Sequence, residues 1–249
     1  KDREFTYGEA RVRTKFLGLF DTVSSMGSGG HAGNYGNVSL NTSGNVAEEI
    51  VHITAKDEIR QFFPLTLAMT GERIEMVGAH ADIGGGYLPE HYESAFFFFP
   101  NTYPGLQEYF EGRWQEPATV IGPNSNLDAK GDYLLAPAGV QPNSELCLMS
   151  TTEPGLHLVS LRLMHDRALA AGVPFETTLI DPIGRRAHSM PVDLNKYYQY
   201  LTTGDTDSAE SIEVSIRRKY VHVSFNHIRD HGMPSNLPEP EGVRRIVSL

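Results

Sequence analysis

The sequence lacks a cysteine framework, a membrane-length apolar run and an excess of basic side chains. Its one cysteine, Cys147, excludes a disulfide scaffold and lies in an apolar run that favours a small core side chain. No apolar stretch approaches the roughly 20 residues of a membrane-spanning helix. The 21 Lys and Arg residues against 31 Asp and Glu residues give a formal charge of −10, which disfavours nucleic acid as a partner.

The length and composition of the chain are typical of a globular protein. It has 249 residues, of which 40% are hydrophobic and 21% charged, enough for one sizeable core. It begins at Lys1 without a signal peptide or an initiator Met, so we expect a piece of a longer protein. The patterns indicate core strands over 1–87, an irregular insertion rich in proline and glycine over 88–155, and further core over 156–249.

Two apolar segments end at ionisable side chains. Residues 12–20 predict a buried strand that stops at Asp21, and residues 73–77 predict a second one, followed by a glycine-rich segment that contains His80. Sites in open α/β sheets form beyond the carboxyl ends of the strands. Asp21 and His80 are therefore the first candidate pair, in the chain order that acid and imidazole take in α/β-hydrolases. Taken alone, the same residues also fit a turn aspartate and a hydrogen-bonded structural histidine.

Periodicity predicts helices and one late strand. A helix is expected from Asn45 to about 62, and a second, clearer one over 156–171 with Gly172 at its end. Residues 220–224 alternate with the period of a strand. The Gly78 and Gly84–Gly86 bracket around His80 indicates that backbone passes close to a ligand or another strand.

Several polar residues near the candidate pair have two interpretations each. Asp82 either binds backbone in the glycine-rich turn or supports His80 or a cation. His52 suits a packing or hydrogen-bonding role better than catalysis, and Asp57 and Arg60 are spaced to pair on a helix surface. His222 is the reserve candidate for a general base. With His227 and His231 it forms a cluster that lacks the ligand spacing of a metal site, so no metal is expected.

The insertion contains an aromatic block. Phe96–Phe99 lie near further aromatic residues, and the block is either plain core or an apolar lid or acyl-chain wall.

Three motifs together carry a family resemblance. They are residues 16–23, which end in Phe-Asp-Thr-Val, residues 52–64 with their His, Asp-Glu and Arg, and the Gly-x-His-x-Asp-x-Gly-Gly-Gly-Tyr segment 78–87. This combination resembles the α/β-hydrolase catalytic domain of the type VI secretion lipase effectors over about 12–87 and 156–175. The resemblance implies an α/β-hydrolase-like, mostly parallel sheet with helices on both faces, here an incomplete C-terminal portion with a lid-like insertion. It also implies that Asp21 and His80 are triad members.

The nucleophile expected from this resemblance is missing. In the family it lies in a Gly-x-Ser-x-Gly-like elbow before the Asp strand, and this chain has no such elbow. The closest sequence, around Ser28, follows Asp21 and has Met26 in place of the first glycine. We therefore expect the serine outside this chain and expect the chain alone to be inactive.

The resemblance implies a carboxylic-ester hydrolase that acts on phospholipids as an antibacterial type VI effector, without a cofactor. Its partners would be a phospholipid membrane, an immunity protein and a carrier of the secretion apparatus. As a secreted bacterial effector it would reach the periplasm or membrane of a target cell. Two alternatives stay open: a non-catalytic membrane- or partner-binding module on a hydrolase scaffold, and an anion or metal site at His80–Gly86.

Overall fold

A computed structural model describes the parts of the chain that position the candidate site. The described residues are 5–23, 25–26, 31–32, 46–87, 93–98, 105–114, 119–120, 146–180, 189–204, 209–224, 239 and 242–247. The strands are β1 (Phe5–Tyr7), β2 (Ala10–Val12), β3 (Phe16–Phe20), β4 (Ser25–Met26), β5 (His31–Ala32), β6 (Glu49–Ala55), β7 (Leu65–Thr66), β8 (Glu72–Met76), β9 (Glu93–Phe98), β10 (Thr119–Val120), β11 (Leu146–Thr151) and β12 (Ile246–Val247). The helices are α1 (His80–Gly84), α2 (Gly105–Trp114), α3 (His157–Ala170), α4 (Val192–Thr203) and α5 (Ala209–Tyr220).

The centre of the fold is a parallel sheet in the order β3-β6-β8. The strands predicted within 12–20 and 73–77 are present as β3 and β8, but neither is fully buried: β3 is half-buried, and three of the five residues of β8 are exposed. Because all three strands run in the same direction, their carboxyl ends meet at one edge of the sheet. The residues that follow β3, β6 and β8 therefore converge, and these include both members of the candidate pair.

The helix predicted from Asn45 is wrong, because Glu49–Ala55 forms the middle strand β6. Its sequence is rich in β-branched residues, which favour strands, and all its residues after Glu49 are buried. A strand buried on both faces shows no alternation of polar and apolar residues, so its apolar run also fits a helix. The chain leaves β6 in turns, which places the acidic residues 57 and 58 at the functional edge of the sheet.

Helix α3 confirms the clearest helix prediction and packs against β3 and β6. Gly18 of β3 lets the helix approach closely, since a Cβ atom there would lie 2.6 Å from the sulfur of Met164. Helix α4 packs against α3, and α5 packs against α4. Tyr197 and Tyr220 are among the fully buried side chains of α4 and α5. The predicted strand over 220–224 is wrong, because Tyr220 ends α5 and 221–224 are irregular.

Within 88–155, the segment that the sequence predicts to be an insertion, the described residues form an antiparallel sheet in the order β10-β11-β9 and helix α2. The side chains of Phe96–Phe99 and Cys147 lie outside the described residues, so the core and lid interpretations of the aromatic block both remain predictions. Far along the chain, β12 pairs in parallel with β7. This pairing brings the C-terminal segment to the candidate site. No helix among the described residues is long and apolar enough to span a membrane.

Candidate active site

Asp21 follows β3 directly and is completely buried. Its amide donates to the carbonyl of Ile53 over 2.7 Å, and its Oδ1 accepts the amide of Ala55 over 2.8 Å, so it is anchored to the end of β6. Its φ of 45° is in the left-handed region, which aspartate tolerates better than most residues. The backbone turns sharply at this position, and the carboxylate is held against the edge of the sheet.

His80 is the first residue of α1, just beyond β8. Its Nδ1 lies 2.9 Å from Oδ2 of Asp21, so the structure brings together the two residues singled out from the sequence. The ring of Phe63 packs edge-on against the imidazole with a centroid separation of 5.2 Å. The His80 side chain remains 34% exposed. The pair therefore combines a buried acid with an imidazole that is still accessible to a reacting group.

A third residue, Arg244, completes the contacts of Asp21. Its Nη1 donates to Oδ1 over 2.6 Å and its Nη2 to Oδ2 over 2.8 Å. Sequence reasoning missed Arg244, because it lies 223 positions from Asp21 and only the β7–β12 pairing brings it close.

The electrostatics of the pair favour an ionised acid. Burial raises the pKa of Asp21, but hydrogen bonds from His80 and Arg244 outweigh it, so this pKa lies below the usual 3.8. An ionised carboxylate can only accept hydrogen bonds, so the proton of a neutral His80 ring lies on Nδ1. Nε2 is then left with a lone pair that can take a proton.

The loop that carries His80 is held by three buried carboxylates. Three consecutive backbone amides each donate to a different acidic side chain: Gly78 to Asp57 over 2.8 Å, Ala79 to Asp82 over 2.8 Å, and His80 to Glu58 over 3.2 Å. We call Asp57, Glu58 and Asp82 the carboxylate cradle. Because these bonds fix the backbone that leads into His80, the cradle determines the position of the His80 Cα atom and so of its imidazole.

Two members of the cradle pair with arginines. Asp57 contacts Nε of Arg217 at 3.0 Å and Nε of Arg113 at 3.2 Å. Glu58 accepts hydrogen bonds from Arg60, including one of 2.8 Å from Nη2, and these hold the pKa of Glu58 below its usual 4.5 despite burial, which raises it. The predicted pairing of Asp57 with Arg60 on a helix surface is wrong, because 57–60 is irregular rather than helical and Arg60 pairs with Glu58 instead.

Asp82, the third member, pairs with His222. Its Oδ1 lies 2.7 Å from Nδ1 of His222, and its Oδ2 accepts the amide of that residue over 3.1 Å. The ring of Tyr87 stacks on His222 at 3.7 Å. Asp82 therefore binds backbone in the glycine-rich turn, and the histidine that it contacts is His222 rather than His80. His222 is buried against Asp82, whereas His80 is the imidazole that contacts Asp21.

His52 serves a structural hydrogen-bond network in β6. Its Nε2 lies 3.1 Å from Oγ1 of Thr22, and that hydroxyl donates its own proton to the carbonyl of Thr66. The amide of Ala68 lies 3.3 Å from Nδ1, and the amide of Thr22 lies 3.4 Å from Nε2. Burial lowers the pKa of His52, so it is neutral. This agrees with the hydrogen-bonding role preferred from the sequence.

The glycines around His80 differ in backbone conformation and in the space available for a side chain. Gly78 has a φ of 132°, and a Cβ atom there would lie 3.0 Å from Cβ of Asp82. Gly85 has a φ of 79° and ends α1. At Gly84 an added Cβ would meet none of the described atoms within 4 Å. The prediction of close backbone approach therefore holds for Gly78 and not for Gly84.

Gly78→Ala is expected to lower the free energy of unfolding by about 1–3 kcal/mol, because alanine is strained at this backbone conformation. Gly84→Ala is the matched control within the same motif and should change it by no more than about 1 kcal/mol, in the stabilising direction. Urea unfolding of both variants measures the difference. Equal effects would contradict the special role of Gly78.

Other candidates remain untested by the structure. Ser28, His227 and His231 lie outside the described residues. Among the side chains that the structure does describe, no group of three or more His, Cys, Asp or Glu residues could hold a metal ion.

The comparison with protein families bears directly on the motifs around this pair. Residues 1–97 match the family model described as "T6SS, Phospholipase effector Tle1-like, catalytic domain". The predicted resemblance to the type VI secretion lipase effectors is confirmed by this match. The matched part contains Asp21, His80 and the carboxylate cradle.

A solved structure supports the same relationship at the level of the fold. The chain is similar to the Tle1 effector in a structure of that effector bound to the VgrG spike of the type VI secretion system, with a TM-score of 0.60 and 20% identity. The similarity covers 95% of this chain and 58% of that one, so this chain spans little more than half the length of the Tle1 chain. No curated protein sequence matches the chain.

Proposed function

We propose that this chain is the C-terminal part of an α/β-hydrolase that cleaves carboxylic esters of phospholipids. The observation that carries the proposal is the Asp21–His80 contact of 2.9 Å, with the acid buried and the imidazole accessible. A carboxylate that fixes an imidazole in this way is the arrangement that activates a serine nucleophile. The Tle1-like family match over 1–97 supports phospholipid as the substrate class.

In the proposed reaction, His80 transfers the proton, and Asp21 holds the imidazole of His80 in place. Nε2 of His80 takes the proton of a serine hydroxyl while the serine oxygen bonds to the ester carbonyl carbon. Nε2 then gives that proton to the departing alcohol, which leaves an acyl-enzyme, and water releases the fatty acid by the same steps. Asp21 stays ionised throughout and stabilises the imidazolium that forms.

We place the serine in a segment outside this chain. The chain contains no Gly-x-Ser-x-Gly elbow, and it spans 58% of the Tle1 chain it resembles. The chain alone would then hold the acid and base without the nucleophile, and it should not hydrolyse esters. A segment outside this chain would also supply the further strands of an α/β-hydrolase sheet, which is larger than the three strands β3, β6 and β8.

The proposal extends to partners and location. As a type VI effector, the protein would be loaded onto a carrier of the secretion apparatus, the role suggested by the VgrG-bound relative. It would then act on the membrane of a target bacterium from the periplasm, and the producing cell would need an immunity protein.

The test is an assay of phospholipid vesicles and short-chain esters with the protein that includes the serine segment. His80→Ala is expected to lower kcat by about 10⁶-fold, the size of loss seen when the histidine of a serine triad is removed. His157→Ala, on α3, is the control and should retain activity. Hydrolysis that survives both Asp21→Ala and His80→Ala would refute the assignment. Vesicle binding without turnover, in a full-length protein that encodes no nucleophilic serine, would favour the binding module instead.

A further inference from the structure

The Asp21 carboxylate depends on one side chain for half of its hydrogen bonds. Each of its oxygens accepts two donors, and one donor on each oxygen is a guanidinium nitrogen of Arg244. The remaining donors are the amide of Ala55 and the ring of His80. Only the amide is fixed by backbone, so without Arg244 the carboxylate could rotate about its Cβ–Cγ bond.

The same arginine also holds the residue that packs against His80. Nε of Arg244 donates to the carbonyl oxygen of Phe63 over 2.8 Å. The Phe63 ring contacts the His80 ring edge-on, and the guanidinium of Arg60 lies 3.3 Å from the centre of that phenyl ring. One planar guanidinium therefore connects the acid to the backbone of the residue whose ring packs against the base. A lysine has one ammonium group and cannot reproduce this fork.

Arg244 is itself held in a fixed place. Its side chain is only 8% exposed. The amide of Leu65 donates to the carbonyl of Arg245, and β12 then pairs with β7. The orientation of Arg244 is therefore set by backbone pairing as well as by its hydrogen bonds.

We propose that Arg244 is a positioning residue for the Asp21–His80 pair, fixing both the plane of the Asp21 carboxylate and the Phe63 ring against which His80 rests. The inference rests on the proposed function for its catalytic consequence, but the geometry it describes can be measured without activity. It assigns a part in the reaction to the C-terminal segment, which lies beyond the residues matched by the family model.

The first experiment observes the pair by proton NMR in the 249-residue chain. The His80 Nδ1–H proton should resonate far downfield, because it is hydrogen-bonded to an ionised carboxylate. In Arg244→Gln, we expect this resonance to move upfield and broaden as the carboxylate becomes free to rotate. Arg245→Gln is the matched control, since Arg245 is the next residue, 53% exposed, and pairs with Glu239. It should leave the resonance unchanged.

The second experiment measures phospholipid hydrolysis by the protein that includes the serine segment. Arg244→Gln should lower kcat by about 100-fold with little change in KM, the size of effect that a misplaced catalytic group produces. Arg244→Lys, which keeps the charge but not the fork, should fall between wild type and Arg244→Gln. Arg245→Gln should match wild type.

The outcomes separate this proposal from the proposed function. An unchanged His80 resonance in folded Arg244→Gln would overturn the positioning role, as would an equal loss of kcat in Arg245→Gln. If Arg244→Gln does not fold, Arg244→Lys takes its place in the NMR experiment, and an unchanged resonance there is equally fatal. A wild-type protein that cleaves no ester refutes the proposed function alone, because the NMR comparison still decides the role of Arg244.

Discussion

Asp21→Asn is expected to lower kcat for phospholipid hydrolysis by about 10⁴-fold, the loss seen when a triad aspartate becomes an amide. The amide has nearly the same shape as the carboxylate, but it no longer stabilises the imidazolium that forms during the reaction. Its NH₂ group can also donate to Nδ1 of His80, which would move the ring proton to Nε2. Nε2 could then not accept the proton of the serine. The measurement is kcat on phospholipid vesicles with the protein that includes the serine segment.

The same substitution should destabilise the fold. Arg244 is almost fully buried and would lose the charge that balances it. Removing one partner of a buried ion pair costs about 3–5 kcal/mol. Glu48→Gln provides the control, because its pair with Lys15 is exposed on both sides and such pairs contribute no more than about 1 kcal/mol.

The destabilisation caused by Asp21→Asn should become smaller as the pH falls. The pKa of Asp21 is lowered in the folded state, so its ionised form contributes stability that is fully present above pH 3.8. That contribution is lost as the pH falls through the folded-state pKa, where the protonated acid resembles the amide. The free energies of unfolding of wild type and Asp21→Asn should therefore converge below pH 3.8. A difference that stays constant with pH would show that Asp21 is not held as an anion.

The elements that the sequence predicted well are those with one unambiguous pattern. Strand β3 is an apolar run that stops at Asp21, and in β8 the buried Ile74 and Met76 alternate with the exposed Arg73 and Glu75. Helix α3 has helical periodicity closed by Gly172. Strand β6 was predicted as a helix because a strand buried on both faces has no period of its own. The pairing of Asp21 with His80 could still be predicted, since it depends on the ends of β3 and β8 and not on the strand between them.

The ionic partners around the site could not be predicted. Arg217 and Arg244 reach Asp57 and Asp21 from the far end of the chain, with sequence separations of 160 and 223 residues. No local pattern encodes such contacts, because they exist only after α5 and β12 have packed. Of the three acidic residues of the carboxylate cradle, only Asp82 follows a predicted buried segment, the strand 73–77. Asp57 and Glu58 fall inside the segment predicted as a helix, so the sequence does not indicate their buried partners.

Asp57→Asn is expected to lower the free energy of unfolding by about 3–5 kcal/mol, because it leaves the buried Arg217 without its main counter-charge. Asp57 is almost completely buried and also receives the amide of Gly78, so its loss should loosen the loop that carries His80. Urea unfolding of the 249-residue chain measures the stability, and the His80 Nδ1–H resonance reports on the loop.

The control for Asp57→Asn is another arginine–carboxylate pair, one that lies on the surface. Glu72 accepts two hydrogen bonds, of 2.7 and 2.8 Å, from Arg167. Its side chain is 42% exposed, so Glu72→Gln should cost no more than about 1 kcal/mol. The two substitutions remove similar arginine–carboxylate contacts and differ mainly in burial. If they cost the same, burial does not set the strength of the Asp57 contact. If Asp57→Asn is the costlier one, the carboxylate cradle is a stabilising part of the fold as well as the support of His80.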